Sequence, residues 1–410
     1  MTENTQTQTK VMLVSVDIGE YDTERSVNEL CELCETAGAS VEAIVTQKRP
    51  SYDGATCIGS GRLAEMAEQC EALEIEQVIF DCELTATQIR NIEEVLGIHT
   101  IDRTMLILDI FAQRAVSREG KLQVELAQQR YRLPRLAGMG VKLSRLGGGI
   151  GTRGPGETKL ETDKRHIRQR IGFLEAELKE IATRRETMRK RRKKDGILSA
   201  AIVGYTNVGK STLLNALTNA GVLAENKLFA TLDTTSRSIE LPDGRSVLLI
   251  DTVGLISRLP HHLVEAFKST LEEAANADVI LHILDASSDY CDLERKVTSE
   301  LLADLGCQDI PVVTVYNKCD LLPENVKIGD AVCISALENK GFDDLLSAIT
   351  NALPQTAKKM ELLVPFSSVG LLAKIREEGK VFSEEYTAEG VKAEVLVDIK
   401  LWQEAEKFKV

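Results

Sequence analysis

The chain has 410 residues, of which 43% are hydrophobic and 28% are charged, a composition typical of a folded protein with more than one domain. Its polar N-terminus predicts no secretory leader, and no apolar run is long enough to span a bilayer. Nine scattered cysteines favour a reducing compartment, so we expect a cytoplasmic protein. Peripheral attachment to a membrane is the alternative. We expect the protein to be a monomer.

The charge is distributed unevenly along the chain. Residues 118–194 contain 22 Lys and Arg against 9 Asp and Glu, although the whole chain has a net charge of −13. A concentrated basic segment in an acidic protein indicates an anionic partner for that segment. A solvated helix of mixed charge is the alternative interpretation.

The N-terminal part, residues 1–115, alternates short apolar runs with stretches of helical periodicity. The apolar runs predict four strands, at residues 11–16, 41–45, 77–80 and 99–101. The periodic stretches predict three helices, at residues 24–37, 61–73 and 86–96. This alternation predicts a small α/β domain with a parallel sheet.

The second segment, residues 116–196, reads as a helical linker that contains a glycine-rich loop. A long helix over residues 104–136 is predicted to be interrupted around Gly120, and residues 158–194 predict a second long helix. The loop between them, residues 146–157, is either a flexible connection or a surface that fits an irregular anionic partner, with Arg145 and Arg153 as phosphate contacts.

The end of the second long helix is strongly basic. Eight of the eleven residues from Arg184 to Lys194 are Lys or Arg. Such a cluster suits a phosphate backbone, which it would bind in a salt-dependent way and without reading bases.

A predicted buried strand at residues 198–203 is followed by a sequence that fits G-x-x-x-x-G-K-[ST], and then by a helix over residues 212–217. Strand, glycine loop and helix start form a phosphate cradle. The loop residues are Gly204, Tyr205, Thr206, Asn207, Val208, Gly209, Lys210 and Ser211. We expect Lys210 to reach the β- and γ-phosphates and the Ser211 hydroxyl to bind Mg²⁺.

A second motif, D-x-x-G, follows the predicted strand at residues 246–250. It consists of Asp251, Thr252, Val253 and Gly254. A carboxylate at a strand end can hold Mg²⁺ through water, and the Gly254 N–H can bind a γ-phosphate. Its position about forty residues after the phosphate loop makes this interpretation specific.

Two further motifs predict recognition of guanine. The predicted strand at residues 311–316 ends in Asn317, Lys318, Cys319 and Asp320, and a later one leads into Ser335, Ala336 and Leu337. The Asp320 carboxylate can accept hydrogen bonds from the N1–H and exocyclic amine of guanine, a donor pair that adenine lacks. We expect Asn317 to tie this loop to the phosphate loop.

Residues 197–355 thus form a predicted nucleotide domain, and residues 356–410 a small α+β domain without a catalytic signature. The small domain has predicted strands at residues 361–365, 381–386 and 391–399 and a helix at residues 369–379. The expected fold class is α/β: a P-loop GTPase domain with an N-terminal α/β domain, a long helical linker and the small C-terminal domain.

The motifs and their order resemble those of translation-factor-class P-loop GTPases. Residues 227–233 resemble the first switch of the Obg–HflX superfamily, and the loop at residues 147–157, with Leu133 to Leu136 before it, is similar to that of the HflX family. The resemblance covers most of the chain, to about Leu353. It adds five switch residues to the expected GTP site: Phe229, Ala230, Thr231, Leu232 and Asp233.

The resemblance implies that Thr231 ligates Mg²⁺ and senses the γ-phosphate, as a catalytic residue beside Lys210 and Gly254. Family members often have D-P-T-T-R where this chain has D-T-T-S-R, so Thr234 and Thr235 are alternative candidates for this role. It also implies a partner, the large ribosomal subunit and its RNA. The protein is expected to hydrolyse GTP to GDP, and its GTP form to help split stalled or stress-damaged ribosomes.

Hydrolysis without a partner is expected to be slow, because Leu255 stands where many GTPases have a water-orienting glutamine. Asn207 resembles the asparagine that holds K⁺ in potassium-stimulated GTPases, so K⁺ is a candidate second cofactor.

Two other functions stay open from the sequence. One is a GTPase of ribosome assembly or RNA maturation. The other is an ATP-dependent RNA-remodelling protein with a second nucleotide site in its N-terminal domain, although no phosphate-loop motif precedes residue 150.

Overall fold

The structure, a computed structural model, describes residues 8–144, 159–218, 228–229, 232–258, 260, 263, 271–323 and 331–410. The chain forms two compact units. The first unit contains residues 1–185 together with two later stretches, 225–233 and 254–269, and the second unit contains the rest. The two stretches therefore interrupt the second unit along the chain but belong to the first.

The first unit is built on a four-stranded sheet that is parallel, as the sequence predicts, and has the strand order β2-β1-β3-β4. Its strands are β1 (Thr9–Asp17), β2 (Ala39–Lys48), β3 (Gln77–Phe80) and β4 (His99–Asp102). The connecting helices are α1 (Thr23–Ala37), α2 (Ser60–Leu73) and α3 (Ala86–Leu96). Buried apolar side chains of β1 and β3, among them Met12 and Phe80, form the core against α2 and α3.

Two of these helices, α1 and α3, start where a side chain satisfies one of their first N–H groups. Asp22 accepts a hydrogen bond from the N–H of Arg25 at the start of α1, and Thr85 and Gln88 form a capping box at the start of α3. Such caps stabilise a helix by about 1 kcal/mol.

Three long helices follow: α4 (Arg103–Arg114), α5 (Arg118–Ser144) and α6 (Lys159–Lys194). The break predicted around Gly120 is misplaced, because the chain leaves helical geometry between α4 and α5 and Gly120 lies inside α5. Ion pairs join α5 to α6, such as Arg170–Glu125 at 2.6 Å and Arg130–Glu175 at 2.8 Å. The glycine-rich loop at residues 146–157, with Arg145 and Arg153, lies outside the described residues.

The second unit contains a six-stranded sheet in the order β10-β9-β8-β5-β7-β6, parallel except for β6. The strands are β5 (Leu198–Gly204), β6 (Thr235–Glu240), β7 (Ser246–Asp251), β8 (Val279–Asp285), β9 (Val312–Asn317) and β10 (Val332–Cys333). The described helices around it are α7 (Lys210–Thr218), α8 (Cys291–Asp304) and α9 (Phe342–Ala352). Because β5, β8 and β9 are parallel neighbours, their carboxyl ends meet at one edge of the sheet.

The C-terminal residues form an antiparallel sheet, β11-β13-β12, in the predicted β-α-β-β order. Its elements are β11 (Ala357–Val364), α10 (Gly370–Glu378), β12 (Lys380–Tyr386), β13 (Val391–Asp398) and the short α11 (Trp402–Ala405). Trp402 packs against this core, and its indole N–H donates to the Val397 carbonyl at 2.8 Å. Across the part of the chain that the structure describes, none of the helices combines the length and hydropathy needed to cross a membrane.

Candidate nucleotide-binding site

The loop between β5 and α7 has the backbone of a phosphate cradle. Asn207 and Gly209 adopt positive φ angles of 61° and 93°. A side chain at Gly204 would collide with the Ile283 carbonyl, and one at Gly209 with the Asn317 amide. The two motif glycines are therefore required by close packing as well as by the turn.

Lys210 is the first residue of α7, and its amine is fixed by the loop. The Nζ atom donates to the carbonyls of Gly204 at 3.1 Å and Tyr205 at 2.6 Å. Burial lowers the pKa of Lys210 to about 8, against the attraction of Asp251. A buried cation at a helix N-terminus is suited to bind an anion.

The next residue reaches the D-x-x-G motif. The Ser211 hydroxyl donates to the Asp251 carboxylate at 2.8 Å, and Asp251 is fully buried at the end of β7. The Thr252 hydroxyl donates to the Ile202 carbonyl at 2.7 Å, which links the start of the motif to β5. A hydroxyl and a carboxylate placed together are hard oxygen ligands of the kind that a divalent cation prefers.

Asn317 joins the guanine motifs to the phosphate loop. Its side-chain amide donates to the Val208 carbonyl at 2.8 Å, and its carbonyl oxygen accepts from the Ala336 N–H at 2.9 Å. One buried side chain thus fixes three of the predicted binding segments to one another.

Asp320 lies in a single 3₁₀ turn at the end of β9 and is exposed, so its carboxylate can meet a base. The residue before this turn, Lys318, has φ 63° and forms an ion pair of 2.7 Å with Asp285 at the end of β8. Ser335 is buried in a bridge with Lys340, whereas Leu337 is largely exposed. The structure thus places phosphate loop, Asp251 and guanine motifs on one sheet edge.

The predicted switch residues divide into two groups. Ala230 and Thr231 lie outside the described residues. Phe229, Leu232 and Asp233 belong to the first unit, where the Phe229 ring packs edge-on against Phe111 at 4.6 Å between centroids. Gly254 also belongs to the first unit.

Asp233 makes a helix cap. Its carboxylate accepts hydrogen bonds from the backbone N–H of Val116 at 2.9 Å and of Ser117 at 2.7 Å, and from the Ser117 hydroxyl. A side chain at Gly120 would collide with this carboxylate, which explains the glycine in the first turn of α5. These contacts are the arrangement of a negatively charged group at a helix N-terminus.

The stretch after Gly254 carries residues that the sequence analysis missed. The Ser257 hydroxyl donates to Glu29 at 2.5 Å, and its carbonyl accepts from Arg103 at 3.2 Å. Arg258 donates to Asp81 at 3.0 Å and lies over the Tyr21 ring at 3.7 Å. The only signal in the sequence is an arginine shortly after D-x-x-G, since its partners are distant along the chain.

The carboxylates that hold this stretch form a buried network. Asp81 is 1% exposed, and it accepts from Arg103 at 3.0 Å as well as from the hydroxyls of Ser26 at 2.7 Å and Ser15 at 3.2 Å. Glu29 pairs with Arg103. We call this set, Glu29, Asp81 and Arg103, the acidic clamp.

The basic residues at the end of α6 differ in how far their side chains are exposed to solvent. Arg189 pairs with Glu273 at 2.5 Å, and only 15% of its side chain is exposed. Lys190 and Arg191 are 76% and 85% exposed, and they pair along the helix surface with Glu186 at 2.7 Å and with Asp195 at 3.8 Å. Arg189 is therefore a structural residue, and the exposed cations around it form a positive surface.

Three family models match successive stretches of the chain between residues 24 and 318. Residues 24–112 match the model of a GTP-binding GTPase N-terminal region, and residues 114–192 that of a GTP-binding GTPase middle region. Residues 199–318 match the family described as 50S ribosome-binding GTPase.

Curated relatives match over nearly the full length. The GTPase HflX of Caldanaerobacter subterraneus subsp. tengcongensis is 51% identical over 98% of this chain and 94% of its own. The GTPase HflX of Lacrimispora saccharolytica is 48% identical over 93% and 92%, and that of Escherichia coli K12 is 37% identical over 94% and 90%. The chain therefore belongs to the HflX family of GTPases.

Proposed function

We propose that this GTPase binds the large ribosomal subunit in its GTP form, helps split stalled or stress-damaged ribosomes in the cytoplasm, and leaves after hydrolysis. The observation that carries the proposal is the exposed positive surface at the end of α6, formed by Lys190, Arg191 and Lys194. It is supported by the match of residues 199–318 to a family described as 50S ribosome-binding. A phosphate backbone fits such a surface.

The nucleotide would be held by the loop and sheet edge described above. Lys210 and the loop N–H groups bind the phosphates, Asn317 positions the guanine loop, and Asp320 accepts from the base. Replacing Lys210 by Ala should abolish tight GTP binding, because the only buried cation described in the loop is then removed.

The oxygen ligands fit Mg²⁺. Ser211 and Asp251 would hold it, the latter through water, and Thr231 is the third candidate ligand. Mg²⁺ usually retains several waters and shares phosphate oxygens, so a small number of protein oxygen ligands is enough. The ion supplies charge neutralisation between the β- and γ-phosphates.

Hydrolysis requires a group that the described pocket does not supply. Leu255 is 3% exposed, and its side chain can neither orient nor polarise water. Thr231 and Gly254 would sense the γ-phosphate, and a ribosomal partner would complete the catalytic arrangement.

Sedimentation of intact ribosomes with the protein and a non-hydrolysable GTP analogue tests the proposal. We expect separation into subunits with the GTP analogue but not with GDP. Binding restricted to immature particles would contradict it and favour an assembly GTPase. Addition of large subunits should also raise the GTPase rate.

The positive surface is tested by replacing Lys190, Arg191 and Lys194 with Gln. We expect weaker ribosome binding and a log–log salt slope that falls by about one for each phosphate no longer neutralised, with unchanged intrinsic GTPase activity. The matched control removes the same charge from Lys296, Lys374 and Lys392, which are likewise exposed. An equal reduction of binding in the control would show that net charge alone is responsible.

A second nucleotide site in the first unit is the other candidate function. It is favoured by a cavity of about 860 Å³ that the Tyr131 ring lines together with three arginines and three carboxylates: Arg90, Arg132, Arg135, Glu93, Asp109 and Asp163. Arg135 is stacked on the Tyr131 ring at 3.5 Å. ATP-driven RNA unwinding that persists in Lys210→Ala and is abolished in Arg132→Ala would support it.

A further inference from the structure

Two cysteines of the first unit lie side by side, outside every motif used above. The sulfur atoms of Cys57 and Cys82 are 3.2 Å apart. Cys57 belongs to the loop before α2, and Cys82 follows β3 at the carboxyl edge of the sheet. Formation of an S–S bond would shorten this separation by only about 1.2 Å.

The loop holds Cys57 in a fixed and unusual conformation. Its φ angle is 66°, in the left-handed region that disfavours residues other than glycine. Cys57 and Asp53 exchange two backbone hydrogen bonds, of 2.9 and 3.0 Å, and the Gln88 amide donates to the Asp53 carbonyl at 2.8 Å. The sulfur is therefore directed at Cys82 by the backbone and not by a flexible loop.

The two thiols differ in acidity. The hydrogen bond between the two thiols lowers the pKa of Cys57 against the effect of burial, and the nearby Arg49 lowers it further. The same hydrogen bond, with burial, raises the pKa of Cys82. Both thiols are buried, at 1% and 9% exposure, and we assign the more acidic Cys57 as the nucleophile and Cys82 as the partner that retains its proton.

We propose that Cys57 and Cys82 are a modification site that forms a reversible disulfide with hydrogen peroxide as oxidant. The Cys57 thiolate attacks one peroxide oxygen, the O–O bond breaks, and hydroxide leaves and takes up a proton. Cys82 then attacks the Cys57 sulfur; the S–S bond forms, the S–O bond breaks and water leaves. Two thiols are oxidised while one peroxide is reduced to two waters.

The site borders the acidic clamp. Cys82 directly follows Asp81, whose backbone N–H donates to the Val14 carbonyl at 2.8 Å and whose carboxylate holds Arg258. A disulfide would tie this backbone to the rigid loop of Cys57 and restrict release of Arg258. This regulatory step rests on the proposed function, in which Gly254 senses the γ-phosphate and residues 255–258 directly follow it, whereas the chemical step does not.

Peptide mapping of the full-length protein tests the chemical step. After treatment with peroxide, alkylation and digestion, we expect a cross-linked peptide that joins Cys57 to Cys82 and that a dithiol reductant resolves. In Cys82→Ser the cross-link is absent and a sulfenic acid trap labels Cys57, whereas Cys31→Ser retains the cross-link. The proposal would be overturned if Cys57 and Cys82 could still be alkylated after a peroxide dose that oxidises Cys31.

GTPase assays of the same samples test the regulatory step. Oxidation should slow hydrolysis in the wild type more than in Cys82→Ser. Both proteins contain Cys319 and Cys333 near the guanine loop, so oxidation of these two residues affects both rates equally. Equal rates with the cross-link present would overturn the regulation. Absence of ribosome splitting by the reduced protein would contradict only the proposed function.

Discussion

Arg258 donates a hydrogen bond of 3.0 Å to Asp81, although the two residues are 177 positions apart in the chain. With Ser257 on Glu29, this contact places the stretch that follows D-x-x-G against the acidic clamp. Two acids and two arginines balance each other there, so removal of one member leaves a buried charge without its full set of partners. The stretch after Gly254, which is expected to respond to the γ-phosphate, is therefore held by contacts within the first unit.

Release of this restraint should speed intrinsic hydrolysis. In Arg258→Ala we expect a higher GTPase rate without ribosomes and a decrease of only about 1 kcal/mol in stability, because Asp81 retains Arg103. In Asp81→Ala the decrease should be larger, about 3 kcal/mol, because two arginines lose a buried partner. Single-turnover hydrolysis and denaturant unfolding measure these changes. Arg62→Ala, which removes an exposed pair with Glu65, is the control; an unchanged rate in Arg258→Ala would refute the restraint.

The guanine site predicts a change of base preference. Asp320→Asn replaces an acceptor by an amide, which can donate to the carbonyl that xanthine has in place of the exocyclic amine. We expect GTP affinity to fall by about two orders of magnitude or more and xanthosine triphosphate to be preferred. Calorimetric titration with both nucleotides measures the shift, and retained preference for GTP would exclude this role of Asp320.

The cation at the phosphate loop can be tested in simple buffers. If Asn207 ligates K⁺, the GTPase rate should be higher in K⁺ than in Na⁺ at equal ionic strength. Asn207→Gly removes the side chain and tolerates the φ of 61°, so it should abolish the difference without strain. Equal wild-type rates in the two salts would discard K⁺ as a cofactor.

His282 should make the second unit sensitive to acid. Burial within β8, and then the nearby Arg295 of α8, lower its pKa to about 4. Between this value and the ordinary pKa of about 6.5 the unfolded chain binds the proton and the folded protein does not, so stability falls as the pH drops. The decrease approaches about 1.4 kcal/mol per pH unit.

Unfolding of the wild type and of His282→Leu between pH 5.5 and 7.5 measures this contribution. The variant should lose less stability over the range than the wild type does. Equal pH dependence of the two proteins would assign the acid sensitivity to other groups.

The nucleotide motifs could be located in the sequence because each of them is a short, contiguous pattern, and the structure places them at one edge of the sheet. Strand, glycine loop and helix start are adjacent along the chain. The motifs that contain Ser211, Asp251 and Asn317 can be recognised from their order and spacing in the sequence. The parallel sheet of the first unit followed likewise from the alternation of apolar runs and helical periods.

The acidic clamp was not predictable in the same way. Arg103 reads as an ordinary helix start and Glu29 as a polar position of an amphipathic helix, because ion pairs over such separations leave no periodic signal. Gly120 was misread as a helix break for a related reason. A side chain there would collide with Asp233, which is distant in sequence.

Asp233 also has a mechanical consequence. It caps α5, a rod of 27 residues that is about 40 Å long. A shift of this aspartate by a fraction of a helical turn would tilt the rod at its anchored end and be magnified at the far end, which leads into the glycine-rich loop. One carboxylate in the predicted switch segment thus sets the position of the first turn of α5.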